Sequence, residues 1–531
     1  IELARRGYVV LALDLHSHGD SESLSIAELY DGAVGVDGAV QLIASLPYVD
    51  TARIGVTGHS SGGTAANMAV EIDNSRETPL IAAVLQQAGD WQDDTGGDHS
   101  GDYGSRSVGI IASTHDDFYF GTYDDAGNML TNPAAFMETD GAKKFLNFNE
   151  DGFAGIAEGG KYYTRDFDGK TAYRVIYRPN MIHPLVAFST TCVGYAVDFF
   201  DTTLGAPKPL PASDQIWPIK AVFNSLGVIG LLIFMVSFTL VLLDTPVFSA
   251  LRSGEIVQPA PVQDSGAKAW YWVLLIIGAV FSGSSFLFCM NTVYSKTTNF
   301  FVQTGPLTIG TWAALCGVFA IFCSAVFYGA YGKKHGWSAR RAGLYLNLEQ
   351  LWKTIALAVI VIVVSFGLVF AAHYFFQVDY RMYVVAFKTF GADKVLIALR
   401  YLPFFLLFYV MNSISANCFN YNTIGGKNGN ILIFAFFNAL GAIFVVASQY
   451  IYFYATGYQL YGLTEGQRIG PIWLFPCMVL LFVTPIMSRI IYKRTRNPYI
   501  AGLINAMFIV MISCSNTTTI LGGGELIATT F

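Results

Sequence analysis

Arg53-Ile54-Gly55-Val56-Thr57-Gly58-His59-Ser60-Ser61-Gly62-Gly63 decides the fold of the first part of the chain. A buried strand, about Arg53 to Thr57, runs straight into a G-x-S-x-G pattern, and a small-residue helix from Thr64 to Ile72 follows. Strand, tight turn and helix in that order hold a serine at the strand end with its hydroxyl exposed. The glycines Gly58, Gly62 and Gly63 let the backbone turn sharply and let neighbouring elements approach closely. The helix opening after Ser60 favours negative charge at its N-terminus. The backbone N–H of Ser61 is then a candidate oxyanion donor. The residue before the serine is His59.

Working outward, short apolar runs alternate with helical patterns. Gly7 to Asp14 reads as a strand covered on both faces, and a helix is expected over about 26–46. Further strands are expected over Leu80–Gln86, Val108–Ser113 and Ala172–Tyr177, with a closing helix over Ala187–Thr203. Strands alternating with helices imply a mostly parallel α/β sheet. Between them, the Gly- and Asp-rich stretch 121–170 carries many aromatics and is expected to form a cap over an apolar pocket.

Residues 1–206 resemble the C-terminal two-thirds of an α/β-hydrolase, most nearly the dienelactone-hydrolase and esterase-like members. The resemblance rests on Arg6-Gly7-Tyr8-Val9-Val10 before Asp14, the loop Asp14-x-x-x-His18-Gly19-x-Ser21, the Gly58–Gly63 elbow and a late histidine. Ser17 departs from it, standing where relatives usually carry glycine. The resemblance implies a triad in the order serine, acid, histidine. Ser60 is at the elbow, Asp116 or Asp117 follows the strand ending at Ser113, and His183 follows the last strand. Asp116 is preferred because the nearby Phe118 resembles the family's Asp-x-Phe, and Asp117 is the alternative acid. A serine hydroxyl needs a base to remove its proton, and a carboxylate fixes the tautomer of that base. This chemistry needs no metal and no organic cofactor. The resemblance implies that His59 packs behind the turn. His16, His18 and His115 read as loop residues. The resemblance also implies a second oxyanion donor in a loop after the family's third strand. The opening residues read as a helix end entering a strand, so the chain is expected to be an N-terminally truncated piece of a longer one carrying that loop.

Composition changes sharply after this region. The chain has 531 residues, of which 53% are hydrophobic and only 13% charged, whereas soluble chains usually carry about 25% charge. Residues 1–206 hold 12 Lys+Arg against 29 Asp+Glu, a net of −17, and residues 207–531 a net of +11. An acidic, water-facing domain therefore precedes a basic, membrane-like one, and nucleic acid is excluded as its partner. The seven cysteines show no zinc spacing, and Cys192 alone lies in the acidic half.

Residues 207–218 read as a Pro-rich linker that spaces the two parts. Residues 219–531 are expected to form an all-α bundle of about eight transmembrane helices, near 219–243, 269–290, 307–331, 352–376, 395–413, 431–454, 471–491 and 499–520. The loops and span ends after the odd-numbered spans carry 11 basic residues, Arg489 among them, against 5 after the even-numbered ones. The richer side is expected to be cytoplasmic. The protein is thus expected to be a multi-pass plasma-membrane protein with its hydrolase domain outside. Arg400 reads as a snorkelling residue, and Glu349 with Lys353 as a helix-end ion pair. Asn412, Asn417, Asn420 and Asn422, with Gly425 and Gly426, read as a polar loop, or as a re-entrant or substrate-lining segment.

The resemblance implies a serine hydrolase of an ester, thioester or amide, acting on a small-molecule or lipid-derived acyl substrate beside the bilayer. Eight spans exceed what an anchor needs, so a transport or export protein whose hydrolase-like domain binds or processes cargo is a second reading. An acyltransferase using the same triad is a third.

Overall fold

A computed structural model describes residues 1–92, 97–124, 128–262 and 264–525, apart from the side chains of Lys427 and Glu525. Part of the expected cap, residues 125–127, and the side chain of Lys427, counted above among the basic loop residues, lie outside the described residues. The chain divides into two compact units. One comprises Ile1–Lys220, Ser448–Ile469 and Thr518–Phe531; the other comprises Ala221–Ala447 and Gly470–Thr517.

The first unit is built on a mixed five-stranded sheet. Its strands are β1 (Ile54–His59), β2 (Ile81–Gln87), β3 (Ser107–Ile111), β4 (Tyr163–Phe167) and β5 (Lys170–Tyr177), in the order β1-β2-β3-β5-β4. The first four in that order are parallel, and β4 is antiparallel to β5. The central strands β2 and β3 are buried on both faces, as their continuous apolar sequences require. Helix α1 (Ser61–Asn74) follows β1, and helix α2 (Thr190–Leu204) packs Phe199 and Phe200 into the core with Leu85, Ile111 and Val175.

Four local expectations change. The run Gly7 to Asp14 forms no ladder, and Val10 is 48% exposed. A cavity of about 690 Å³ is lined by both this run and β1. The helix expected over 26–46 breaks into Ile26–Leu29, Asp31–Val34 and Val36–Ala44, because Gly32, Ala33, Val34 and Gly35 have positive φ. The stretch 121–170 supplies β4 to the sheet. Phe136 and Phe145 from the same stretch stack on Trp91 at 5.9 and 5.7 Å. Residues 207–218 are pinned rather than free. Arg6, fully buried, donates to the carbonyls of Leu210, Pro211 and Asp214, and Glu2 accepts from the amides of Ile216 and Trp217.

Two later segments belong to this unit although their sequence reads as membrane part. Residues 448–469 hold the end of one long helix, a turn and the start of the next. Farther on, Ile520 and Leu521 pair in parallel with Leu24 and Ser25, and Thr519 N–H donates to the carbonyl of Ser17 at 2.8 Å. Ser17 itself has φ 64, a left-handed conformation that glycine adopts more easily, and its Oγ accepts from the Leu24 amide.

Among the described residues, eight helices are long and apolar enough to cross a membrane: Trp217–Leu243, Ser265–Thr292, Thr304–Gly332, Leu348–Phe376, Ala392–Phe419, Asn428–Thr456, Glu465–Thr495 and Pro498–Ser515. Each reaches at least the ~18 residues that a span requires. Within the second unit the eighth span is the most enclosed, with 78% of its apolar window buried against 11% for the third. Close approach is through small residues. Gly283 of the second span meets the backbone of Gly441 in the sixth, and Gly502 of the eighth meets Val410 of the fifth.

The polar groups of this unit are arranged differently from the sequence expectation. Asn412 and Asn417 lie inside the fifth span, Asn417 in its π-helical last turn Ser415–Phe419, and not in a loop. Arg489, counted above among the loop-side basic residues, is 2% exposed within the seventh span. Its guanidinium donates to Asn417 Oδ1 at 2.8 Å, Asn430 Oδ1 at 3.0 Å and the Ala416 carbonyl, and it lies 3.9 Å over the Tyr421 ring. Arg400 donates to the Phe300 carbonyl at 2.9 Å, and Lys353 pairs with Glu349 at 2.6 Å.

Candidate active site

Ser60, Asp116 and His183 follow β1, β3 and β5, three parallel strands of one sheet, so all three stand at its C-terminal edge. Such an edge is where open α/β sheets carry their ligands.

Ser60 has φ 56 and ψ −125, a conformation that costs a non-glycine residue roughly 1–3 kcal/mol. Hydrogen bonds impose it. The Ser60 amide donates to Gln87 O at 2.9 Å, and its carbonyl accepts from Gly63 N at 2.7 Å. The glycines are required by contact. A Cβ on Gly58 would overlap the Gly62 backbone, and one on Gly63 would overlap the side-chain oxygen of Gln86. Beneath the turn, Gln86 and Tyr103 both donate to Asn67 Oδ1, at 2.6 and 2.7 Å. α1 begins at Ser61, so its first amides point toward the serine's surroundings.

His183 is 4% exposed, and its Nδ1 lies 2.9 and 3.0 Å from the two carboxylate oxygens of Asp116. Asp116 also accepts from Ser113 Oγ at 3.1 Å and from the amides of Phe118 and Tyr119 at 3.0 and 2.9 Å. Burial alone would raise this carboxyl, but the charge and hydrogen bond of His183 and the two amides outweigh it and hold it below its ordinary value. Asp117 does not reach the imidazole. Its Oδ2 accepts from the backbone amide of His183 at 3.2 Å. Burial first, then the neighbouring charge of Asp116, push its carboxyl well above the ordinary range. The adjacent carboxyls are thus shifted in opposite directions, Asp116 down and Asp117 up.

Rings pack around the imidazole. His59 lies 4.7 Å away, Phe118 meets it edge-on at 5.0 Å, and Tyr119 stacks at 5.9 Å. His59 Nε2 is 3.1 Å from the His183 carbonyl, and burial, with the charge of His183 next, pushes its pKa down to about 4. The elbow neighbour is therefore neutral at pH 7. His18 Nδ1 is satisfied by the His16 carbonyl at 2.8 Å.

Segment 448–469 adds contacts that no local sequence pattern announces. Gln459 Nε2 donates to the Asp117 carbonyl at 2.7 Å, the His115 ring lies 4.4 Å from that of Tyr454, and Arg468 sits 4.6 Å over Tyr123. The first two of these contacts fall on the acid-bearing loop itself, at Asp117 and His115. Among the described residues, no group of three or more His, Cys, Asp or Glu could hold a metal ion.

A serine at a strained turn, an imidazole held by a buried carboxylate and a helix N-terminus are the components that acyl transfer uses. Comparison with protein-family models, curated proteins and solved structures found no match to this chain.

Proposed function

We propose that the chain is a membrane-embedded serine hydrolase of α/β-hydrolase fold, acting on an ester, thioester or amide. The observation that carries this reading is the buried His183 Nδ1–Asp116 pair at 2.9 Å, beside an elbow whose serine has φ 56. In the first step Ser60 Oγ attacks the carbonyl carbon while His183 takes its proton. The tetrahedral oxyanion is held by the Ser61 amide. As the bond to the leaving group breaks, His183 returns the proton to that group and an acyl-serine remains. Water, deprotonated by His183, then attacks the acyl carbon, and His183 returns that proton to Ser60 Oγ as the acyl–serine bond breaks. The products are the carboxylic acid and the free serine. Asp116 keeps Nδ1 protonated throughout and stabilises the imidazolium.

The substrate class is small or lipid-derived acyl compounds. The basic loops face the cytoplasm of a plasma membrane and the hydrolase part faces outward, in keeping with the distribution of Lys and Arg. Turnover of a short-chain nitrophenyl ester by membranes carrying the wild type, and its loss in Ser60→Ala, tests the chemistry. Labelling of intact cells by an impermeant fluorophosphonate tests the orientation; labelling only after lysis would reverse it.

A transport or export role is the second reading. It is favoured by Arg489, a buried cation held only by neutral groups among the described residues, since ionisable groups within spans usually mark pathways. Retained substrate-driven uptake in a Ser60→Ala variant would favour it.

A further inference from the structure

The second unit contains a cavity of about 870 Å³, within the size range of small-molecule sites, ~300–1,000 Å³. Its shape follows from the residues that line it. On the second span they run from Ala267 to Ser282, about 22 Å of helix at 1.5 Å per residue. The third span also lines it, from Tyr331 back to Cys316. These spans are antiparallel, with Phe281 stacked on Phe319 at 4.0 Å and Ser285 Oγ 3.8 Å from Cys316 Sγ. The cavity is therefore a deep slot, about four helical turns long.

The two ends differ chemically. The deep part is walled by Leu275, Phe281, Phe319, Phe408, Phe434 and Phe437. The mouth is formed by the segments after the first, third and seventh spans, which contribute Glu255, His335, Arg341 and Arg496. Glu255 is the one carboxylate among the described lining residues, against two guanidinium groups. Lys333, Lys334 and Arg340 stand in the same loop as Arg341. Asn412 and Asn438, joined by a 2.6 Å hydrogen bond, add polar atoms to the wall, as do Ser282, Ser324, Ser415 and Asn417.

We propose that this slot binds one single-chain amphiphile with an anionic head, its chain between the second, third, fifth and sixth spans and its head at Arg341 and Arg496. An apolar slot alone would accept any lipid tail. Arg341 and Arg496 at its mouth select the charge of the head, because guanidinium forks match carboxylate and phosphate oxygens, and Arg341, which gives one donor to the Gly336 carbonyl at 2.7 Å, keeps others for a ligand. The site is independent of the serine-hydrolase reading, since none of its residues belongs to the triad.

Trp337 lines the slot, with its ring 4.7 Å from Phe419, and so reports occupancy. The test uses the full chain in phosphatidylcholine nanodiscs. The quenching of interest is the component lost in Trp337→Phe. Dibromostearate is expected to quench that component saturably. A brominated monoacylglycerol of the same chain length is expected to bind at least 10-fold more weakly, and so is dibromostearate to the Arg341→Gln/Arg496→Gln variant. Gly278 faces open space in the lining, so Gly278→Phe fills the slot without touching the arginines and is expected to abolish saturable quenching. Non-saturating quenching would overturn the proposal, because it marks partition into the bilayer. Equal binding of the neutral and anionic probes would overturn it too, as would unchanged quenching in a folded Gly278→Phe variant.

Discussion

Gln459 donates its side-chain amide to the backbone carbonyl of Asp117 at 2.7 Å, across 342 positions of sequence. The turn between the sixth and seventh spans thereby braces the loop that carries Asp116. A hydrogen bond of this kind contributes about 1 kcal/mol net, which corresponds to roughly 5-fold in rate if it acts only on the transition state. Gln459→Leu is expected to lower kcat by about that factor with KM unchanged. Steady-state kinetics on a soluble ester checks this, and a rise in KM with kcat intact would assign Gln459 to substrate binding instead.

The two neighbouring aspartates separate cleanly in their expected effects. Asp116→Asn removes the acceptor that fixes the His183 tautomer, and a loss in kcat on the order of 10⁴ is expected. Asp117→Asn leaves the imidazole's partner in place and keeps most of the activity.

Asp117 also carries a pH signature. In the unfolded chain its carboxyl ionises near ~4, whereas burial and the adjacent Asp116 charge raise it in the folded protein. Above that pH the unfolded state gives up a proton that the folded state retains. Its contribution to stability is full below about pH 4 and is lost as pH rises toward the raised folded value. The Tm of Asp117→Asn should therefore match wild type near pH 4 and exceed it increasingly as pH rises above that. A Tm gap that shrinks with rising pH would contradict the upward shift of Asp117.

The elbow glycines differ in what surrounds them. Gly62 has open space where a Cβ would stand, while Gly58 and Gly63 do not. Gly62→Ala should retain fluorophosphonate labelling, and Gly58→Ala and Gly63→Ala should lose it, with Tm lowered by several degrees.

Arg489 satisfies three buried acceptors at once. Arg489→Ala leaves them without a donor and is expected to cost about 3 kcal/mol or more. Arg489→Lys recovers only part of this, because an ammonium cannot reproduce the guanidinium fork. Thermal unfolding in detergent ranks the three proteins.

What the sequence revealed follows the range of the interactions involved. Ser60 was legible because strand, turn and helix are contiguous from Ile54 to Asn74 and the glycine spacing encodes the turn. The eight long apolar helices were legible because helix length and hydropathy are both local properties of the sequence. The pairing of Ile520 with Leu24, the Gln459–Asp117 bond and the antiparallel strand at Tyr163 join or depend on distant segments, so no local period carries them. Val9 to Leu13 has the composition of a buried strand, but composition does not supply a neighbour to pair with. Arg489 looked like a cation at a span end, and only the positions of Asn417 and Asn430 on other helices reveal it as buried.

The most direct measurement is the mass-spectrometric mapping of a fluorophosphonate adduct on the folded, membrane-inserted protein. The expected result is one adduct, on Ser60, absent in Ser60→Ala and formed far more slowly in Asp116→Asn. A folded protein that forms no adduct on Ser60, or that forms it equally fast without the Asp116 carboxylate, would contradict the Ser60–His183–Asp116 assignment.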